Sequence, residues 1–267
     1  MGGATVALLE ARMESELASL VRRHGGEPLC VPALREVERD CSAEAALAID
    51  AAGKEGVVVV LATGVGLARW LAVAKALGRD AELRAGLSRA TVVCRGPKPV
   101  AVLKREGLAA TVRAEPPHTT IELLRALESI DVNSREVAMV HDGGAISTVP
   151  SALRARGATV REVRPYEWAL PEDVAPLQEL VRSIVAGGIR AVVVTTQVQA
   201  KHLFDVADSL GLRERLVAAL RDRVVVAAVG PTCARTLAEL GVPPHVMPEN
   251  AKMGPLVAAL AKHLSSA

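Results

Sequence analysis

The sequence predicts an α/β fold built twice, each copy a parallel sheet covered by helices. Three observations carry this reading. Fully apolar, β-branched runs, VVVV at 57–60 and AVVV at 191–194, suit strands buried on both faces of a parallel sheet. Such runs alternate with helical patterns along the whole chain, as βαβ units require. The pattern also recurs: residues 57–108 are echoed at 192–242, with Thr63 facing Thr196 and Gly96-Pro97 facing Gly230-Pro231. The offset of about 133 residues is half the chain, too long for a solenoid unit, and marks a duplicated half-molecule. Two similar halves with turn-rich strand ends predict a cleft for a small ligand.

In order, TVALL at 5–9 reads as a strand, ESELASLVRRH at 14–24 as a helix and EPLCVP at 27–32 as a second strand. VVVVLA at 57–62 is a strand, LARWLAVAKAL at 67–77 a helix, TVVC at 91–94 a strand and PVAVLKRE at 99–106 a helix. Residues 116–120 read as a loop into a helix from Ile121, with Thr119 or Thr120 as its cap. The second copy follows: VAMV at 137–140, a helix in VPSALRARG at 149–157, and TVREVRP at 159–165. Then come a helix over 176–186, AVVVTT, a helix from about Gln199, VVVAAV at 224–229 and a helix from about Cys233. An amphipathic helix over 254–263 packs on a sheet and closes the chain. Two proline-marked extended stretches, 30–38 and 160–173, lie at equivalent points of the copies. Paired together they form a two-stranded connector crossed twice by the chain; two tandem domains with a boundary near Asn133 are the other arrangement the pattern permits.

Composition narrows the function. Lys plus Arg number 32 against 30 Asp plus Glu, so no global field draws in nucleic acid or a membrane surface. The four aromatic residues, Trp70, Tyr166, Trp168 and Phe204, are too few for base-stacking or sugar-stacking platforms. Cys30, Cys41, Cys94 and Cys233 show no CxxC spacing and no histidine partner; they read as core hydrophobes in a reducing compartment, without a zinc site. The N-terminus lacks a basic region followed by an apolar run, and the longest apolar stretch, 57–68, is short and broken by glycine. A cytoplasmic monomer, with no membrane or nucleic-acid partner, is expected.

Each copy offers two loops able to hold anions. ATGVG at 62–66 and TTQVQ at 195–199 follow strands, and threonine or glycine there opens a helix whose unpaired N–H groups can receive carboxylate or phosphate, or simply caps it. RGPKP at 95–99 and VGPTC at 229–233 start helices with proline near the first position and match neither phosphate-loop spacing. Arg95 and Lys98 charge the first of these, while Thr232 and Cys233 leave the second nearly neutral; the first is expected to meet the more acidic part of a ligand. HDGG at 141–144 reads as a strand-end turn carrying a titratable His141. Tyr166, the only tyrosine, either donates a proton from its phenol or anchors the connector by packing. No Ser/His/Asp or Cys/His series has catalytic spacing.

These segments together resemble the uroporphyrinogen-III synthase family, in particular a bacterial branch carrying a CRGPKP loop, here residues 94–99. The connector ALRARGATVREVRPYEWALPED at 152–173, VVVTTQVQAKHLF at 192–204, VGPTCARTLAELGV at 229–242 and the opening LLEARMESELASLVRRHGG at 8–26 carry the likeness. It implies two doubly wound, flavodoxin-like domains, one from 1–32 plus 170–267 and one from 37–162, joined by connector strands at 33–36 and 163–169. It implies a cofactor-independent lyase: hydroxymethylbilane, a linear tetrapyrrole rich in carboxylates, is cyclised with inversion of ring D and loss of water. The tyrosine proposed to assist departure of the hydroxyl falls on Tyr166. Amides at Thr63, Gly64, Val65, Gly96, Gly143, Thr196, Gln197, Gln199, Gly230, Thr232 and Cys233 would hold carboxylates, with Arg12, Arg95 and Lys98 adding charge and His141 flanking Gly143. Part of the branch is fused to a DNA-binding winged helix, so the alternative implied is a non-catalytic regulatory module that binds a tetrapyrrole or another polyanion.

Overall fold

The computed structural model describes residues 1–144 and 148–266. They form two compact units, Met1–Arg35 with Trp168–Ala267, and Glu36–Glu167. Unit 2 runs through Asn133 without a break.

The chain begins unit 1 with β1 (Thr5–Leu8), α1 (Glu14–Arg23) and β2 (Glu27–Cys30), then leaves along β3 (Arg35–Glu38). Unit 2 follows: α2 (Ser42–Ala52), β4 (Val58–Leu61), α3 (Gly64–Ala76), α4 (Asp80–Arg89), β5 (Thr91–Cys94), α5 (Pro97–Arg105), β6 (Val112–Arg113), α6 (Thr120–Glu128), β7 (Glu136–Val140), α7 (Thr148–Ala155) and β8 (Thr159–Val163). The chain returns along β9 (Tyr166–Ala169). Unit 1 is completed by α8 (Ala175–Ala186), β10 (Ala191–Val194), α9 (Gln197–Ser209), α10 (Arg213–Asp222), β11 (Val225–Ala228), α11 (Pro231–Glu239) and α12 (Met253–Ser266).

Unit 1 holds a parallel sheet of order β11-β10-β1-β2 and unit 2 one of order β6-β5-β4-β7-β8, while β3 and β9 form a two-stranded antiparallel sheet. The repeat explains the likeness of the sheets. β10, β11, β1 and β2 stand in unit 1 where β4, β5, β7 and β8 stand in unit 2. Unit 1 therefore opens with the strand pair that ends unit 2, a circular rearrangement of one plan. The extended stretch 160–173 is split, its first part pairing with β7 in the unit 2 sheet and its later part forming β9.

Strand alternation builds two cores per unit, one on each sheet face. Val59 and Leu61 of β4 pack into the cluster around Trp70, and Val58 and Val60 into the one with Leu123 and Leu153. In unit 1, Ala7 and Leu9 face Phe204 and Leu180, and Val6 and Leu8 face Leu17 and Leu256 of the closing helix. Both faces of every central strand are therefore dry, which is why these strands read as unbroken apolar runs.

Three helices carry no clear sequence signal: α2, α4 and α10. α4 and α10 bury only three residues each, among many charges, and α2 is so rich in alanine that its apolar stripe is indistinct. α4 lies close on α2, where a Cβ on Gly86 would stand 2.7 Å from the Ala52 carbonyl oxygen. The capping choice at α6 falls on Thr119, which forms a reciprocal box with Glu122.

Candidate functional site

In unit 2, strands on either side of the β4–β7 boundary are added in opposite directions, and their carboxyl ends mark the switch point where open α/β sheets bind ligands. Thr63 caps α3, its hydroxyl accepting from Gly66 N at 2.9 Å. The Gly64 and Val65 amides make no hydrogen bond within the described residues. Gly64 has to be small, since a Cβ there would sit 2.9 Å from the Lys98 carbonyl oxygen; the starts of α3 and α5 approach that closely. In α5, Pro97 and Pro99 remove two donors, leaving the Gly96 and Lys98 amides.

Charges are distributed differently from the sequence expectation. Arg95 binds Asp142 at 2.6 Å, so its guanidinium serves the HDGG loop, and Lys98 is the exposed cation of the pair. Burial raises the Asp142 carboxyl, but the charge and hydrogen bond of Arg95 outweigh it and hold it below its ordinary value. His141 does not face outward. Its side chain is buried, Nε2 lies 2.7 Å from Glu162 Oε2 at angles poor for a hydrogen bond, and burial pushes the imidazole below its usual value. Gly143 takes φ 80°, the left-handed turn that lets the loop reverse.

Tyr166 begins β9 and is 2% exposed. Its hydroxyl lies 3.2 Å from Thr63 Oγ1, so the phenol reaches the cap of α3. The Arg69 guanidinium stands 5.2 Å from the ring centroid.

Unit 1 repeats the loops with different chemistry. Thr196 caps α9 in a reciprocal box with Gln199. Gln199 Oε1 accepts from Thr195 N at 2.7 Å and Thr196 N at 3.2 Å, while Nε2 donates to Glu10 Oε2 at 3.2 Å. Glu10 also accepts from the Thr195 hydroxyl and from Arg12 N at 3.0 Å. Gln199 is thus an internal lock, and the Gln197 and Val198 amides are the α9 donors left open among the described residues. Thr236 Oγ1 donates to Gln197 Oε1 at 3.5 Å, tying α11 to α9. Gly230 caps α11, where a Cβ would stand 3.1 Å from Ala251 Cβ, with the Thr232 amide in the first turn. Cys233 points its thiol into the core, where burial pushes it up to about 12. Arg12 is exposed and stacks 4.7 Å from the Trp168 ring centroid.

The model of the family described as uroporphyrinogen-III synthase HemD matches residues 15–258. The chain belongs to the uroporphyrinogen-III synthase family. It is 29% identical to the uncharacterized protein YjjA of Bacillus subtilis, over 98% of this chain and 96% of that one. A putative uroporphyrinogen-III synthase of Methanothermobacter thermautotrophicus is 33% identical over 62% of this chain and 64% of its own. Among solved structures, a mutant uroporphyrinogen III synthase from Thermus thermophilus aligns with TM-score 0.80 and 26% identity, covering 99% of this chain and 100% of that chain.

Within this family member, the residues sequence reasoning missed are Glu10, Asp142, Glu162 and Arg69. One signal was available. The repeat aligns Glu10 with His141, so each copy places a polar side chain directly after its apolar strand, and both turn inward.

Two outcomes follow from this geometry. A Cβ on Gly66 would meet the His141 carbonyl oxygen at 2.8 Å and Thr63 Oγ1 at 3.0 Å. Gly66→Ala is expected to cost about 1–3 kcal/mol by overpacking, measured by urea denaturation; unchanged stability would show that α3 can move away. Glu162 supplies the second. Burial raises its carboxyl, but Arg164 and Arg154, helped by His141, hold it at about 2. Its folded value lies below the ordinary 4.5, so its pairing stabilises the fold above that pH and is lost as pH falls toward 2. Glu162→Gln should therefore be less stable than the parent at pH 7, with the gap closing between about 4.5 and 2. Parallel stability curves across that window would refute the assignment.

Proposed function

We propose that this protein is a uroporphyrinogen-III synthase, cyclising hydroxymethylbilane with inversion of ring D and loss of water. The observation that carries the reading, beside family membership, is the matched loops: in each unit a threonine-capped helix and a glycine-proline helix start at the carboxyl edge of the sheet. Their open amides at Gly64, Val65, Gly96, Lys98, Gln197, Val198, Gly230 and Thr232 receive substrate carboxylates. Arg12 and Lys98 add charge. The bilane closes unaided to the wrong isomer, so the protein's chief task is to hold its chain folded for attack at the inverted ring, an orientational effect worth several kcal/mol (on the order of 7–11 at best). Tyr166 assists loss of the hydroxyl as a proton donor, with Thr63 adjoining its phenol.

One observation favours a second reading, a non-catalytic tetrapyrrole-binding module: the phenol is buried and already engaged by Thr63. The experiment supplies hydroxymethylbilane from its upstream deaminase and separates the oxidised type I and type III porphyrins by chromatography. Type III is the expected product. Type I alone at high protein concentration refutes the synthase reading.

A further inference from the structure

Arg69 lies on the first turns of α3, six residues after the Thr63 cap, and has no counterpart among the loops discussed above. Its guanidinium makes an unusual set of contacts for a residue outside the rim. Nη2 binds Glu36 Oε1 at 2.5 Å and Glu38 Oε1 at 3.2 Å, both on β3. Nη1 donates to the Pro165 carbonyl at 3.2 Å, immediately before β9. The plane also lies over the Tyr166 ring, 5.2 Å from its centroid. One side chain therefore grips β3, the start of β9 and the tyrosine from the helix whose cap meets the phenol.

We propose that Arg69 is a positioning residue that fixes the Tyr166 phenol at the Thr63 cap. The inference rests on the synthase reading only for its kinetic consequence. The fork geometry matters: a planar guanidinium satisfies two carboxylates, a carbonyl and a ring face at once, whereas an ammonium cannot hold all four. Glu38 is exposed and contributes little; the half-buried arms to Glu36 and Pro165 set the geometry. Holding a cation against the ring face also favours the charge that a phenol develops as it gives up its proton.

Because the chain has a single tyrosine, ¹³C labelling of tyrosine reports on Tyr166 alone. Arg69→Met and Arg69→Lys are compared, each with and without Tyr166→Phe. Arg69→Met is expected to lower kcat roughly 2- to 30-fold, the worth of a partly desolvated cation–ring contact, with KM nearly unchanged. The loss should vanish in the Tyr166→Phe background, and the tyrosine ring resonances should shift in the single variant. Arg69→Lys should lie between, and replaces Arg69→Met if that variant does not fold. Full kcat in the Arg69 variants while Tyr166→Phe is impaired overturns the proposal, as does the same fold-loss in both backgrounds, which marks a merely structural role. If Tyr166→Phe is fully active, the proton-donor reading has failed, and the positioning claim stands or falls on whether the tyrosine resonances move.

Discussion

Tyr166→Phe is expected to slow type III formation roughly 10²- to 10⁴-fold, the usual worth of general acid assistance, with a smaller loss if substrate-bound water substitutes. The ring is 2% exposed and packs under Arg69, and phenylalanine keeps that packing. What disappears is the hydroxyl 3.2 Å from Thr63 Oγ1. Thr63 retains its bond from Gly66 N, so the cap of α3 survives and stability should fall by no more than about 0.5–1.5 kcal/mol. Tyr166→Ala is expected to do worse on both counts, because it also empties a buried site at the start of β9. Comparing the two separates chemistry from anchoring. Full type III activity in the Phe variant, at an unchanged melting temperature, would reduce Tyr166 to a structural anchor and leave catalysis to substrate folding by the loop amides.

The same residue illustrates how far the sequence could be read. That Tyr166 lies on a strand of a two-stranded connector was one of two arrangements the pattern allowed, and the family resemblance implied it; the parallel sheets follow from the pattern itself, because strands dry on both faces must be written in apolar residues. The caps at Thr63, Thr119 and Thr196 were legible for the same reason: a cap and its partner lie within four residues. Side-chain destinations were not. Arg95 meets Asp142 across 47 positions and Gln199 meets Glu10 across 189, and nothing in either segment says that its polar group will be satisfied there. Arg95 and Gln199 find those partners because burial near the sheet edge obliges each polar side chain to be satisfied, and the neighbouring loops supply the carboxylates. His141 turned inward under the same obligation, toward a carboxylate already gathered by two arginines. Backbone amides at the helix starts escape this rule, since a helix cannot satisfy its own first turn.

The largest effect on folding is expected one position beyond Arg69. Trp70 is 0% exposed and is the biggest side chain in its cluster, packed among Ala45, Ile49, Leu67, Leu87 and Val140. Trp70→Ala removes the whole indole from a core whose strands are locked in register with β5 and β7, so the void cannot close. A cost of about 3–5 kcal/mol is expected, a large part of the stability of one domain. Unit 1 has cores of its own, so hydrogen-exchange protection should fall within residues 36–167 first. Trp70→Phe tests a subtler point. The indole Nε1 has no acceptor among the described residues, and a buried donor left unpaired costs about 1–3 kcal/mol. Phenylalanine loses part of the buried area but also removes that orphan donor, so the two terms oppose and the net cost should stay below about 2 kcal/mol. Urea denaturation of both variants decides the matter: a Phe variant as unstable as the Ala variant would mean that the indole's fit, and not the unpaired donor, governs this site.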